Sequence, residues 1–293
     1  MRANSLSTLL AAGLMLAAGP AFAQDSTGLR AIGTDAPRDA AHPAQLVQIR
    51  YPSAGLMIPA RLFVAASAGA HPTILLLHGF PGTELNLDLA RVLQRDGWNV
   101  LAIHYRGVWG APGQFSYGHV VEDAHAALAW LRSPEGGAHG VDPQRIVVLG
   151  HSMGGFATVM LGDDRQVSGY VLISAADMVQ ATLAANANPA ARAEFSDDAS
   201  YTNAPLAALV AEAQTHVSDW QWSARAAQIA PRPVLVITSD DGLAATGTAA
   251  AAAAGGARPA QVIHMTTDHS FNDHRTALAA AVLTWLHATF PRP

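Results

Sequence analysis

The sequence predicts an α/β fold, a mostly parallel sheet with helices on both faces. Three observations predict it. Six apolar runs recur along the chain, at 73–79, 99–107, 145–150, 167–175, 233–239 and 260–266. Continuous apolar runs of this length fit strands covered on both faces. Stretches with helical spacing lie between several of them, and such alternation implies parallel strands joined by crossover helices. The composition, 50% hydrophobic and 13% charged over 293 residues, suits one sizeable globular domain.

The chain opens with MRANSLSTLLAAGLMLAAGPAFAQDS. Arg2 supplies a positive start, an apolar stretch follows, and Ala21-Phe22-Ala23 is an A-x-A cleavage site. Residues 1–23 therefore read as a secretory signal peptide. That predicts a periplasmic or secreted protein with no membrane attachment after cleavage, because the apolar stretch is short for a bilayer span. Residues 24–43 are small and polar and read as a loose leader, which leaves 44–293 as the domain. In QLVQIRYPSAGLMIPARLFVAA two extended runs flank Pro52-Ser53-Ala54-Gly55, an antiparallel hairpin by pattern. LNLDLARVLQRDG carries Leu85, Leu89, Val92 and Leu93 at helical spacing, and Gly97 closes it. VVEDAHAALAWLR places Val121, Ala124, Leu128 and Leu131 on one face. HRTALAAAVLTWLHATF forms the last helix. Residues 176–229 are Ala-rich and interrupt the alternation. They read as a small helical cap over the sheet edge, with a peripheral crossover as the alternative. The alanine run 249–254 reads as helix surface.

Composition also excludes chemistries. All 17 basic residues are Arg, so Schiff-base and P-loop mechanisms, which need a Lys amine, are absent. The chain has no Cys, which removes thiolate catalysis, disulfides and Cys-ligated metals. The net charge is −5 and no basic stripe stands out, so no nucleic-acid partner is expected. His, Asp and Glu show no metal-ligand spacing. Neither a metal nor any other cofactor is expected.

One corner carries the chemistry. In VDPQRIVVLGHSMGGFATVML an apolar strand breaks at Gly150-His151-Ser152-Met153-Gly154 and a small-residue helix follows. G-x-S-x-G alone is a weak signal in a chain with 25 Gly. The strand–turn–helix setting makes it specific, because it lifts a hydroxyl off the sheet at a helix start, where backbone N–H groups favour negative charge.

With that corner, HGFPG at 78–82, HYRGVWGAPGQFS at 104–116 and DHSF at 268–271, the chain resembles the α/β-hydrolases from about residue 46 to 290. Its hairpin and HYRG segment look similar to bacterial dienelactone-hydrolase-like and prolyl-oligopeptidase-like members. The resemblance implies an α/β-hydrolase fold and a Ser-Asp-His order of catalytic residues. It implies Ser152 as nucleophile and backbone N–H groups of Phe80 and Met153 as the oxyanion hole. His269 follows the last strand and is the expected base. His264 falls inside that strand and reads as packed, His274 is second choice, and the side chain of His151 should point elsewhere on the turn. Asp240 and Asp241 both follow the strand 233–239. A short turn before the acid favours Asp241; the unused one would cap the next helix. Tyr105, Trp109, Phe115, Trp220 and Trp222 are candidates for a substrate pocket, with core packing the alternative for each.

The leading expectation is a serine hydrolase cleaving carboxylic esters through an acyl-enzyme. A serine peptidase or amidase acting on short peptides is the alternative, as are acyl transfer with the same residues and a non-catalytic binding protein on the same fold. Expected partners are a small-molecule ester or a short peptide.

Overall fold

The alternating runs that open the domain build a hairpin, β1 Gln45–Ser53 and β2 Leu56–Val64, in the computed structural model, which describes residues 29–256 and 258–291. The expected signal peptide lies outside the described residues. Ala54 and Gly55 join the strands at φ 46° and 78°. A two-residue turn with both φ values positive matches the twist of the paired strands.

The six apolar runs form the remaining strands: β3 His71–Leu77, β4 Asn99–Ile103, β5 Val141–His151, β6 Gly169–Ile173, β7 Val234–Thr238 and β8 Gln261–His264. Their order across the sheet is β1-β2-β4-β3-β5-β6-β7-β8. β1, β2 and β4 pair antiparallel; every pair from β4 to β8 is parallel. Leu77 pairs with Gly150, His151 with Ile173, and Thr238 with His264. The carboxyl ends of these strands are therefore level, and the loops that follow them share one edge. The chain runs from β3 to β4 on one side and then crosses to β5 on the other. This switch point opens a crevice at the carboxyl ends of β3 and β5, where open α/β sheets bind ligands.

Eleven helices are seen among the described residues. α1 Arg30–Gly33, α2 Leu87–Arg95 and α11 Arg275–Thr289 cover one face with Ile74, Leu76, Val147 and Leu149. α3 Tyr117–Leu131, α5 Met153–Met160 and α10 Ala244–Ala254 cover the other with Leu75, Leu77 and Val148. α4 Pro134–Ala138 is a short helix before β5. Between β6 and β7 run α6 Met178–Ala187, α7 Pro189–Ala199, α8 Leu206–Thr215 and α9 Trp222–Ala227.

Several expectations change in detail. The leader is not loose throughout. α1 carries buried Ala31, and Arg95 Nε donates to the Ala31 carbonyl at 2.7 Å. The alanine run is not only surface, since Ala250, Ala251 and Ala254 are buried in α10. Residues this small let α10 lie close to β7, where a Cβ on Gly247 would sit 2.8 Å from Thr238. The insertion divides. α9 packs on α5 and α10 in the body of the domain. α7 instead reaches the loop after β3, where Phe195 stacks on Phe80 with ring centroids 5.1 Å apart.

Candidate active site

Ser152 stands between β5 and α5 at φ 56°, ψ −119°, backbone space that L-residues occupy only when neighbours hold them there. Its N–H donates to the Ile173 carbonyl at 3.0 Å, and its own carbonyl accepts from Gly155 and Ala176. The flanking glycines make room for the turn. A Cβ on Gly150 would lie 2.0 Å from the Gly154 carbonyl oxygen, and one on Gly154 would lie 2.0 Å from that of Leu77.

Ser152 shares a cavity of about 80 Å³ with Gly79, Phe80, Gly82, Glu84 and His269. A Cβ on Gly79 would meet the Ser152 Cβ at 2.8 Å, so the loop after β3 and the serine turn are in contact. Met153 is the first residue of α5, and an N–H at that position has no carbonyl partner within its own helix.

His269 Nδ1 lies 2.6 Å from Asp241 Oδ2. Burial alone would raise the Asp241 carboxyl. Hydrogen bonds from His269, the Leu243 N–H and the Ser174 hydroxyl outweigh it and hold the pKa at about 2. An ionised carboxylate only accepts, so Nδ1 of His269 carries a proton, and in the neutral ring the lone pair is on Nε2.

Asp240 faces the other way. Its Oδ1 lies 3.0 Å from His264 Nε2, and His264 Nδ1 lies 2.9 Å from Thr238 Oγ1. Asp240 is thus neither against His269 nor a helix cap; Asp241 accepts from the Leu243 N–H before α10. His264 is exposed, not packed, because β8 is the edge strand and its outer face is open. His274 precedes α11 and pairs with Asp273 at 2.9 Å. His151 is buried, and its Nε2 lies 2.9 Å from the His269 carbonyl oxygen. Sequence reasoning assigned it no part in the site. Which way it turns depends on the loop after β8, 118 residues away.

The aromatic candidates scatter. Tyr105 is fully buried and its hydroxyl donates to the His78 carbonyl at 3.1 Å, bracing the loop from beneath. Phe115 is buried against Phe80. Trp109 Nε1 donates to the Pro81 carbonyl at 3.1 Å while its ring, half exposed, stacks on Tyr201. Trp220 packs on Phe156 and His216. Trp222 is buried and donates to the Thr246 carbonyl at 3.0 Å. None of the five lines the serine cavity.

The segment after β4 is anchored below the surface. Asp123 accepts from the Arg106 N–H at 2.8 Å, Arg106 Nε at 2.7 Å and the Ser53 hydroxyl. Glu122 takes Arg106 Nη2 at 2.6 Å. No group of three or more His, Cys, Asp or Glu among the described residues is placed to hold a metal ion.

A level carboxyl edge, a strained serine between glycines and an Asp-His pair beside it define a protein of the α/β-hydrolase class. The sequence profile of the alpha/beta hydrolase family matches residues 74–281, and the chain belongs to that family. An uncharacterised protein of Mycobacterium tuberculosis is 35% identical over 121 residues, 41% of this chain and 42% of its own length. The chain thus spans less than half the length of this curated relative. Among solved structures, a thermostable carboxylesterase cloned from a metagenomic library superposes with a TM-score of 0.58 and 22% identity, covering 85% of this chain and 91% of its own. A puromycin-hydrolysing peptidase of Mycobacterium tuberculosis superposes with a TM-score of 0.63 and 18% identity, covering 88% and 41%. At these identities both show the shared fold.

Proposed function

We propose that the chain is a serine hydrolase that cleaves carboxylic esters of small molecules through an acyl-enzyme. One observation carries this reading: His269, whose Nδ1 is committed to Asp241 at 2.6 Å, shares a cavity with Ser152. Ser152 Oγ attacks the acyl carbon as its proton passes to Nε2 of His269. Asp241 holds the ring and stabilises the imidazolium. The N–H groups of Phe80 and Met153 receive the oxyanion. The imidazolium gives its proton to the departing alkoxide, the acyl group stays on Ser152, and water activated by His269 releases it as the acid.

The small cavity favours esters with a short acyl group, since sites for drug-sized ligands are several-fold larger. The fold shared with the puromycin-hydrolysing peptidase keeps amide cleavage as the second reading. Export, with cleavage after Ala23, belongs to this proposal through the sequence pattern alone.

The test is labelling of purified protein with a fluorophosphonate probe, followed by peptide mapping. Adduct on Ser152, lost in Ser152→Ala, together with hydrolysis of short-chain 4-nitrophenyl esters, is the expected result. Folded protein that takes no label would defeat the proposal. Label with cleavage of aminoacyl amides in preference to esters would move it to the second reading.

A further inference from the structure

Three backbone carbonyls follow β8 in close succession, and each is held by a group from elsewhere in the fold. The Asp240 N–H donates to the Thr267 carbonyl at 3.0 Å. Arg275 Nη1, at the start of α11, donates to the Ser270 carbonyl at 2.9 Å. Between them, His151 Nε2 meets the His269 carbonyl at 2.9 Å. A carbonyl oxygen only accepts, so His151 must carry its proton on Nε2. Its Nδ1 is buried and has no hydrogen-bond partner among the described residues. The His151 ring also lies beside that of His269, with centroids 4.8 Å apart and planes inclined by 34°.

This arrangement restricts His151 to one protonation state. A second proton would put a buried N–H on Nδ1 without a partner and a positive charge against the ring that must accept a proton. Burial first, then repulsion from the His269 ring when that ring takes up a proton, pushes the His151 pKa down to about 3. Asp241 and Arg275 are the other charged groups that act on it, with opposite signs.

We propose that His151 is a positioning residue for the reaction: as a neutral Nε2–H donor it fixes the His269 backbone and backs its ring. The inference rests on the serine-hydrolase reading. The acid holds Nδ1 of His269 from one side, and His151 holds the same residue's main chain from the other. Together they hold the ring from two sides in the cavity that it shares with Ser152. A displacement of about 1 Å at such a group is enough to cost roughly 10²-fold in rate.

The test compares His151→Gln, which retains an amide N–H near the position of Nε2, with His151→Met, of similar bulk and no donor. The readouts are the fluorophosphonate labelling rate of Ser152, and kcat and KM on a short-chain ester. His151→Met should lower the labelling rate and kcat by about 10²-fold with KM little changed, and His151→Gln should recover most of the loss. Equal rates in the two variants would overturn the proposal. Wild-type protein that takes no label would overturn the serine-hydrolase reading beneath it, a distinguishable failure. Imidazole ¹⁵N NMR of the wild type gives a second measurement that needs no variant to fold. His151 should show the Nε2–H tautomer unchanged from pH 8 to 5. The Nδ1–H tautomer, or titration in that range, would also overturn it.

Discussion

Asp241 Oδ2 lies 2.6 Å from His269 Nδ1, while the neighbouring Asp240 turns its carboxylate to His264 Nε2 at 3.0 Å. Two adjacent carboxylates after β7 thus serve two histidines, one at the end of β8 and one in the loop that follows it. Asp241→Asn should lower kcat by on the order of 10⁴-fold, because the amide no longer fixes the tautomer that leaves Nε2 basic. Asp240→Asn should stay within about threefold of wild type, since an exposed pair of this kind contributes little. Steady-state kinetics on both variants checks the assignment, and the reverse order of effects would exchange the two residues' roles.

Two buried histidines make stability depend on pH. Burial holds His78 at about 4, against an ordinary 6.5, and His151 at about 3. Below pH 6.5 the unfolded chain therefore binds protons that the native state refuses. The stability these groups contribute is complete above 6.5 and is lost as pH falls toward 4 and 3. Their joint slope approaches about 2.7 kcal/mol per pH unit in that window. Urea unfolding at pH 7, 6, 5 and 4 measures it, and His78→Gln should remove about half of this slope. A flat profile over this range would contradict the burial argument.

Gly154→Ala should destabilise by about 3 kcal/mol, the upper range for a forced overpacking. The added Cβ would sit 2.0 Å from the Leu77 carbonyl oxygen, and backbone cannot give way as a flexible side chain does. Denaturant unfolding reports the cost. A loss of activity with unchanged stability would mean that the turn adjusts locally instead.

Asp123→Ala should cost about 3 kcal/mol, the lower end for breaking a buried pair, because the Arg106 guanidinium keeps Glu122 as a partner while it loses Asp123. Arg106 is 4% exposed and Asp123 is 0% exposed. The pair anchors the segment that carries Trp109 and Phe115, so KM should rise as well. Chemical denaturation and ester kinetics separate the two effects.

Acyl-chain length should matter steeply. With only about 80 Å³ beside Ser152, acetyl and propionyl esters should give higher kcat/KM than octanoyl esters. Replacing Phe195 with Ala should narrow that gap by freeing the face of Phe80 on which it stacks. A 4-nitrophenyl ester series measures both, and a preference for long chains would show that α7 moves aside in solution.

Much of the fold was legible because its strands are buried on both faces. The runs at 73–79 and 145–150 need no partner to be recognised, and β3 and β5 follow them closely. The serine turn was legible for a local reason: glycines are the residues that permit its close approach. Other features were hidden in pairings. His264 read as packed because its strand is apolar, but a strand's place at the sheet edge is not written in its own residues. Tyr105, Phe115 and Trp222 read equally well as pocket or core, and packing against distant segments decided for the core. The leader's one helical turn is held by Arg95, far along the chain, and packs on α2 and α11.

The sequence by itself determined the order of strands and helices, the strained serine corner, the absence of lysine and cysteine chemistry, and the short choice of acids and bases. Those are properties of composition, period and local backbone geometry. Only the tertiary structure decided which carboxylate faces His269, that His151 holds that histidine's carbonyl, and that Phe195 closes over Phe80. Each of these joins segments far apart in the chain, and side-chain direction at such a meeting is fixed by both partners together.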